Sequence, residues 1–231
     1  MTEGTDHRLH ISDSAGDVAA FLLRPREAWL LYVLAHGAGA GMRQRFLEQT
    51  SAALAARGIA TLRYHFPYME AGRKRPDAQP LLEATVRGAV THAGDLFPEL
   101  PVIAGGKSLG GRMTSSAAAA APLERVLGLA FLGFPLHPPG QPATSRADHL
   151  QQVKVPMLFL QGTRDTFARL DLITDVCQRL GARATLRVLE GADHSFAVPR
   201  RAGGSVDRMA DQLADAIDEW ARALVGAGAQ L

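Results

Sequence analysis

Ser108 is the residue whose setting in this sequence most favours covalent chemistry. It lies in the pattern Gly106-x-Ser108-x-Gly110, after a short apolar run and before an alanine-rich, helix-forming segment. Glycines on both sides allow a sharp strand-to-helix turn, and such a turn exposes the serine hydroxyl. The free N–H groups and the dipole of the following helix favour negative charge at the same point. The pattern therefore predicts a nucleophilic serine, whereas the alternative is a glycine-rich turn with an incidental serine.

Asp165 and His194 follow Ser108 in an order that would complete a nucleophilic site, because a serine nucleophile needs a base and a group that orients the base. Asp165 comes after the apolar run at 156–161. His194 comes after the apolar run at 184–189. Both runs are predicted to be parallel strands, whose carboxyl ends meet at one edge of a sheet. We therefore expect His194 to accept the Ser108 proton and Asp165 to orient His194. Taken separately, the aspartate could cap a helix and the histidine could be an exposed loop residue.

A serine nucleophile also needs N–H donors for the oxyanion that its attack creates. The first predicted donor is the backbone N–H of Leu109, the residue after the nucleophile. The second is expected in the loop His36-Gly37-Ala38-Gly39, which follows the apolar run at 29–35. We assign it to Ala38 because the neighbouring glycines let the backbone turn this N–H inward. His36 is expected to hold the loop by hydrogen bonding.

Aromatic residues near two predicted strand ends could line a substrate pocket. They are Tyr64, Phe66, Tyr68 and Phe196. The first three lie at the start of a long loop, so they could equally form a small core beneath that loop. Lys107 and the basic triplet at 73–75 could favour an anionic substrate, or could instead form salt bridges and aid solubility. The sequence leaves both questions open.

Alternating strand and helix patterns must position these residues. Two short strands are predicted at 7–12 and 17–23, around a turn-rich stretch, and they favour an antiparallel hairpin. After them, continuous apolar runs alternate with amphipathic helices, which is typical of a parallel sheet with helices on both faces. We predict an α/β fold with a mostly parallel central sheet of about eight strands, in one domain over residues 1–231. The segment between 132 and 156 is too short for a large lid domain.

The composition is typical of a soluble globular protein. The 231 residues carry a formal net charge of +2, and 47% of them are hydrophobic. Apart from 73–75, the basic residues are dispersed, so no nucleic-acid partner is predicted. No apolar stretch near the polar N-terminus is long enough for a signal sequence or a membrane span, and a single cysteine, Cys177, forms no internal disulfide. These features predict a cytoplasmic protein without a membrane partner; they do not indicate its oligomeric state.

The motifs together resemble those of the α/β-hydrolase superfamily over essentially the whole chain. Five motifs are similar to those of its small dienelactone-hydrolase-like branch, and to those of testis-expressed and non-specific-lethal-complex subunit proteins. The five motifs are HGAGAGM, RYHFPYMEAGRKRPD, AGGKSLGGRM, QGTRD and GADHSF. The resemblance implies an α/β-hydrolase fold, a triad of Ser108, Asp165 and His194, and no metal or organic cofactor. Dienelactone hydrolases carry a cysteine where this chain has Ser108, so their substrate is not carried over.

Two functions are compatible with these patterns. The first is a serine hydrolase, such as a carboxylesterase, that cleaves an ester, thioester or similar acyl bond of a small soluble substrate through an acyl-enzyme intermediate. The second is a non-catalytic, hydrolase-like scaffold that binds a partner, because fold alone does not define function. A complete triad with an oxyanion loop favours the first function, since a scaffold has no physical need of either. The natural substrate stays open.

Overall fold

The central sheet expected from the sequence is present in the computed structural model, which describes residues 2–13, 15–198 and 206–228. The strands are β1 (Thr2–Ser12), β2 (Gly16–Pro25), β3 (Leu30–Ala35), β4 (Ile59–Tyr64), β5 (Val102–Lys107), β6 (Val126–Leu132), β7 (Met157–Gly162) and β8 (Ala184–Leu189). Within the described residues they form one eight-stranded sheet in the order β1-β2-β4-β3-β5-β6-β7-β8. Strands β3 to β8 run parallel, whereas β2 pairs antiparallel with both β1 and β4. The predicted fold class is therefore confirmed, and the assignment of residues 1–231 to one domain stays a prediction.

Helices cover both faces of this sheet. They are α1 (Arg45–Ala55), α2 (Pro67–Glu70), α3 (Gln79–Leu96), α4 (Leu109–Ala120), α5 (Leu170–Leu180) and α6 (Val206–Gly228), with 3-10 helices at Ser145–Gln152 and Gly181–Arg183. On one face α1 and α6 bury Leu47 and Leu213 against the sheet. On the other face α3, α4 and α5 bury Val86, Met113 and Ile173. Because both faces are covered, β3, β4, β5 and β7 are buried at every position. No helix among the described residues is both long enough and apolar enough to cross a membrane.

The position of β3 between β4 and β5 determines where a site can form. The chain leaves β3, returns as β4 on one side of it, and then crosses to β5 on the other side. Loops that leave neighbouring strands in opposite directions create a crevice, which is where open α/β sheets bind ligands. Ala35 at the end of β3 is paired with Gly106 near the end of β5. The loop after β3 therefore lies beside the turn that contains Ser108.

Helix α2 interrupts a stretch for which the sequence predicts only a long loop. Pro67 begins it, which agrees with the preference of proline for the first turn of a helix. Glu70 ends it and accepts hydrogen bonds from the Ala19 backbone N–H at 3.0 Å and from the Arg8 guanidinium at 2.5 Å. Both donors lie on β1 and β2, far away in sequence, so a local pattern does not reveal them.

Candidate active site

Ser108 occupies a strained turn between β5 and α4. Its φ of 49° and ψ of −113° lie outside the regions that residues with side chains favour. A Cβ atom on Gly106 would lie 2.3 Å from the Ala35 carbonyl oxygen, and one on Gly110 would lie 2.6 Å from the same oxygen. The turn therefore packs so closely against β3 that only glycine fits on either side of the serine. Strain of this kind is concentrated at functional sites.

Ser108, His194 and Asp165 form a continuous hydrogen-bond chain. The Ser108 hydroxyl oxygen lies 2.9 Å from His194 Nε2, and His194 Nδ1 lies 2.7 Å from Asp165 Oδ2. A carboxylate can only accept, so Nδ1 carries the hydrogen and Nε2 is free to accept the serine proton. The Asp165 side chain is 1% exposed and the His194 side chain is 19% exposed. The three residues singled out from the sequence are therefore brought together in the order that general-base catalysis needs.

Gln161, the second-last residue of β7, holds Asp165 in place. Its amide nitrogen donates to Asp165 Oδ2 at 2.6 Å, and its amide oxygen accepts from the Phe134 backbone N–H at 3.1 Å. The Phe167 backbone N–H donates to the other carboxylate oxygen at 2.7 Å. Gln161 is not among the residues that the sequence motifs indicate as functional. The signal was present, because a polar side chain at the end of an otherwise apolar central strand must find a buried partner.

The loop after β8 positions His194. The Asp193 carboxylate accepts hydrogen bonds from the backbone N–H groups of Ser195 at 2.8 Å and Ala197 at 2.9 Å, so Asp193 shapes this loop. The Phe167 ring lies against the imidazole, with 4.3 Å between the ring centroids. His194 is therefore held by its loop, by Phe167 and by Asp165.

His36 fixes the loop after β3, as the sequence predicts. Its Nδ1–H donates to the Gly37 carbonyl at 2.7 Å, and its Nε2 accepts from the Phe66 backbone N–H at 3.1 Å. Burial lowers the pKa of His36 to about 4, so the ring is neutral near pH 7. With both ring nitrogens occupied, His36 connects the loop to the start of α2.

The two predicted oxyanion donors belong to the serine turn and to the loop after β3. Leu109 is the first residue of α4, where a backbone N–H has no acceptor within its own helix. Ala38 lines the cavity at Ser108. Within the described residues, neither the Leu109 N–H nor the Ala38 N–H donates to a protein acceptor. Both groups are thus available to a substrate oxygen, and their role as oxyanion donors stays a prediction.

A cavity of about 260 Å³ opens at Ser108. Its lining comes from the loop after β3, the start of α1, the serine turn and the loops after β7 and β8. The lining residues are Gly37, Ala38, Ala40, Gln44, Phe46, Lys107, Ser108, Phe167, His194 and Ser195. The cavity therefore reaches all three predicted components: nucleophile, base and oxyanion loop.

The four aromatic residues considered as pocket walls lie outside the lining of this cavity. Tyr64, Phe66 and Tyr68 are fully buried and pack in the core beneath the loop. Phe196 is also buried, and its ring stacks on Phe46 with 5.4 Å between the centroids. The first three residues therefore match the alternative interpretation of a core beneath the loop, and a pocket role for any of the four stays a prediction. Tyr64 ends β4, and Phe66 and Tyr68 lie at the start of α2, where their side chains pack into the core.

The basic triplet at 73–75 is exposed and does not line the cavity. Arg73 pairs with Asp77 at 2.7 Å. This pair agrees with the salt-bridge interpretation for Arg73. Lys107, in contrast, is buried at the site.

Two other nucleophilic side chains, Ser115 and Cys177, lack the same activation. Ser115 Oγ lies 2.8 Å from His149 Nε2, but its hydroxyl donates to the Arg112 carbonyl, so its hydrogen is already in use. Burial raises the pKa of the Cys177 thiol to about 12, which leaves no reactive thiolate near pH 7. In the part of the chain that the structure describes, no three His, Cys, Asp or Glu side chains are grouped as a metal site.

Proteins of known structure share this fold. Residues 28–222 match a family model described as an alpha/beta hydrolase domain. The esterase domain of a Rhodothermus marinus protein is 16% identical and has a TM-score of 0.71, and the match covers 95% of this chain and 98% of that domain. An α/β serine hydrolase without a lid from Xanthomonas campestris is 18% identical, with a TM-score of 0.73 and coverage of 94% and 95%. A dienelactone hydrolase from Anabaena variabilis is 22% identical, with a TM-score of 0.70 and coverage of 93% and 97%. At these identities the likeness to the solved structures is one of fold.

Proposed function

This chain belongs to the alpha/beta hydrolase domain family, and on that premise we propose that it is a serine hydrolase that cleaves an ester, thioester or similar acyl bond of a small soluble substrate. Ser108 is the nucleophile, His194 is the general base and acid, and Asp165 orients the imidazole. The observation that carries the proposal is the hydrogen-bond chain Ser108–His194–Asp165, with distances of 2.9 and 2.7 Å. The esterase and serine hydrolase neighbours lend further support.

In the acylation step, Ser108 Oγ attacks the carbonyl carbon of the substrate while its proton moves to His194 Nε2. The carbonyl oxygen becomes an oxyanion, which the N–H groups of Leu109 and Ala38 stabilise. The intermediate collapses when the bond to the leaving group breaks. His194 Nε2 gives its proton to that group, and the acyl group stays on Ser108.

In the deacylation step, a water molecule takes the place of the leaving group. His194 accepts a proton from this water, whose oxygen attacks the acyl carbon. The second tetrahedral intermediate uses the same two N–H donors. Its collapse returns the proton from His194 to Ser108 Oγ and releases a carboxylic acid. Each proposed step uses only protein groups and water.

The cavity favours a short acyl group. Its volume of about 260 Å³ is below the range of about 300–1,000 Å³ that is typical of sites for drug-sized ligands. Phe46 and Phe167 supply apolar walls, while Gln44 and Ser195 supply polar ones. We therefore expect acetyl and propionyl esters to react faster than esters of long-chain acids.

Labelling with a fluorophosphonate, followed by intact mass measurement, tests the proposal directly. The reagent forms a covalent adduct only with an activated serine. We expect one adduct on the wild-type protein, none on Ser108→Ala, and one on Ser115→Ala. The Ser115 variant is the matched control, because Ser115 also lies next to a histidine.

Two results would contradict the proposal. An adduct that persists on Ser108→Ala would assign the reactive residue elsewhere. A folded wild-type protein that forms no adduct would favour the scaffold function, and a search for protein partners would then replace substrate screening.

A further inference from the structure

The turn at residues 37–40, which carries the Ala38 N–H, is loosely packed at its tip. Ala38 and Gly39 are both exposed. A Cβ atom on Gly39 would meet no heavy atom within 4 Å, so side-chain packing does not restrain this residue. Its φ of +69° lies in the left-handed region, which glycine enters and leaves readily. The orientation of the tip therefore depends on the hydrogen bonds that the turn makes.

Two of these bonds converge on the Gly37 carbonyl. The Ala40 N–H donates to it at 3.3 Å and closes the turn. The His36 Nδ1–H donates to it at 2.7 Å. The Ala38 N–H belongs to the same trans peptide unit as this carbonyl, and the two groups of such a unit point in opposite directions. The Ala38 N–H is therefore directed away from the His36 ring.

The third bond is made by the Gly39 N–H, which donates to the Tyr68 hydroxyl oxygen at 3.3 Å. The lining of the cavity at Ser108 agrees with this direction, because it includes the residues on both sides of Gly39 but not Gly39 itself. Of the N–H groups of Ala38, Gly39 and Ala40, only that of Ala38 has no acceptor among the described residues. The bonds of the turn thus leave one N–H for a substrate oxygen.

Tyr68 is itself held firmly in the core. It is the second residue of α2, and its side chain is fully buried. Its ring lies against Phe66, with 6.4 Å between the centroids, and edge-on to His36 at 6.0 Å. Its carbonyl accepts from the Arg73 backbone N–H at 2.7 Å. The hydroxyl is therefore a fixed point to which the exposed tip of the turn is attached.

We propose that Tyr68 is a positioning residue of the oxyanion site, whose hydroxyl holds the Gly39 N–H and so keeps the neighbouring Ala38 N–H in place for the substrate oxygen. This inference rests on the proposed function. Tyr68 does not line the cavity, so it acts through the turn and not on the substrate. A donor stabilises an oxyanion most when it is fixed before the charge develops. Without the hydroxyl, the turn loses one of the bonds that fix it.

Tyr68→Phe removes only the hydroxyl, and steady-state kinetics with p-nitrophenyl acetate measure the effect. We expect kcat to fall about fivefold, since one hydrogen bond is lost and its effect falls on the oxyanion. KM should stay near the wild-type value, because the oxyanion exists in the transition state and not in the bound ester. The inhibition constant of trifluoroacetone, which forms an oxyanion when a serine adds to it, should rise by a similar factor.

Tyr32→Phe is the matched control. Tyr32 is also fully buried, and its hydroxyl donates to a backbone group, the Ala130 carbonyl, at 2.8 Å. This variant therefore loses a tyrosine hydroxyl and one hydrogen bond without a change at the turn. We expect its melting temperature to fall while its kcat stays at the wild-type value.

Amide hydrogen exchange, followed by NMR, tests the hydrogen bond without any need for turnover. In the wild type the Gly39 N–H should be better protected than the Ala38 N–H, although both residues are exposed. In Tyr68→Phe the protection of Gly39 should fall about fivefold. In Tyr32→Phe it should stay unchanged. The wild-type comparison applies even if Tyr68→Phe does not fold.

Four outcomes overturn the inference about Tyr68. They are an unchanged kcat in folded Tyr68→Phe, an equal fall of kcat in Tyr32→Phe, a rise of KM in place of the fall in kcat, and a Gly39 N–H that is no better protected than that of Ala38. A wild type without turnover would instead contradict the proposed function, and hydrogen exchange would still decide whether Tyr68 holds the turn.

Discussion

The Gln161 side chain donates a hydrogen bond to the Asp165 carboxylate at 2.6 Å, and the same carboxylate oxygen accepts from His194 at 2.7 Å. A neutral amide, itself held by the Phe134 backbone, therefore supports the residue that orients the base. Gln161, a buried residue of the sheet, thus supports the proposed triad through Asp165.

Replacement of Gln161 by Met is expected to reduce kcat/KM by about 10- to 100-fold, because a hydrogen bond to a charged group contributes about 1.5–3 kcal/mol. The Phe134 N–H also loses its acceptor, so the melting temperature falls. Steady-state kinetics with p-nitrophenyl acetate and a thermal melt measure both effects. The exposed Gln152, changed to Met, is the control. Unchanged kinetics in a folded Gln161→Met protein would mean that Asp165 needs no support from the amide.

Replacement of Ser108 by Ala is expected to lower kcat by roughly four to six orders of magnitude, as removal of a triad nucleophile does. The melting temperature should stay close to that of the wild type, since the change removes one oxygen atom at a half-buried position. Ester hydrolysis and a thermal melt check the two parts. Ser115→Ala, measured in parallel, should keep most of the activity. Comparable losses in the two variants would argue that neither serine is the nucleophile.

Gly133→Ala is expected to lower kcat/KM, because the added methyl would press on Lys107 Nζ and contact two residues of the proposed triad. That methyl would lie within 3.6 Å of Lys107 Nζ, Asp165 Oδ2 and His194 Nδ1, at a residue with a φ of +69°. Gly140→Ala is a matched control, because Gly140 has a similar φ of +74° and no heavy atom within 4 Å of the added methyl. Backbone strain is therefore common to both variants, whereas only in the first does the added methyl contact the triad. Equal activities, measured as kcat/KM in folded proteins, would refute this arrangement.

Lys107→Met is expected to raise the free energy of unfolding near pH 7, because the wild-type protein must keep an ammonium away from water. The pKa of Lys107 is about 8 in the folded chain, against an ordinary value of 10.5. Between these values the unfolded chain binds a proton that the folded chain has released, so the wild-type protein gains stability as pH rises. The advantage of the variant should therefore shrink between about pH 8 and pH 10. Urea unfolding across this range measures it; an advantage that grows with pH would contradict the lowered pKa.

The sequence determined those features that depend on local order. Apolar runs of strand length predicted the sheet, and the spacing of glycines around Ser108 predicted the strained turn. The chain order Ser108, Asp165, His194 predicted which residues would meet, because the ends of parallel strands lie at one edge. The family resemblance rested on the same motifs, and the match over residues 28–222 confirms it.

Only the tertiary structure decided what surrounds those residues. The order β4-β3-β5 brings the loop after β3 beside Ser108, and no local pattern states the order of strands. Several features depend on elements that are distant in the chain. They are the burial of Tyr64, the hydrogen bond between Gln161 and Asp165, and the position of Lys107 near Asp165 and His194. Such contacts depend on how the elements pack, whereas periodicity and turn residues report only on a segment and its immediate neighbours.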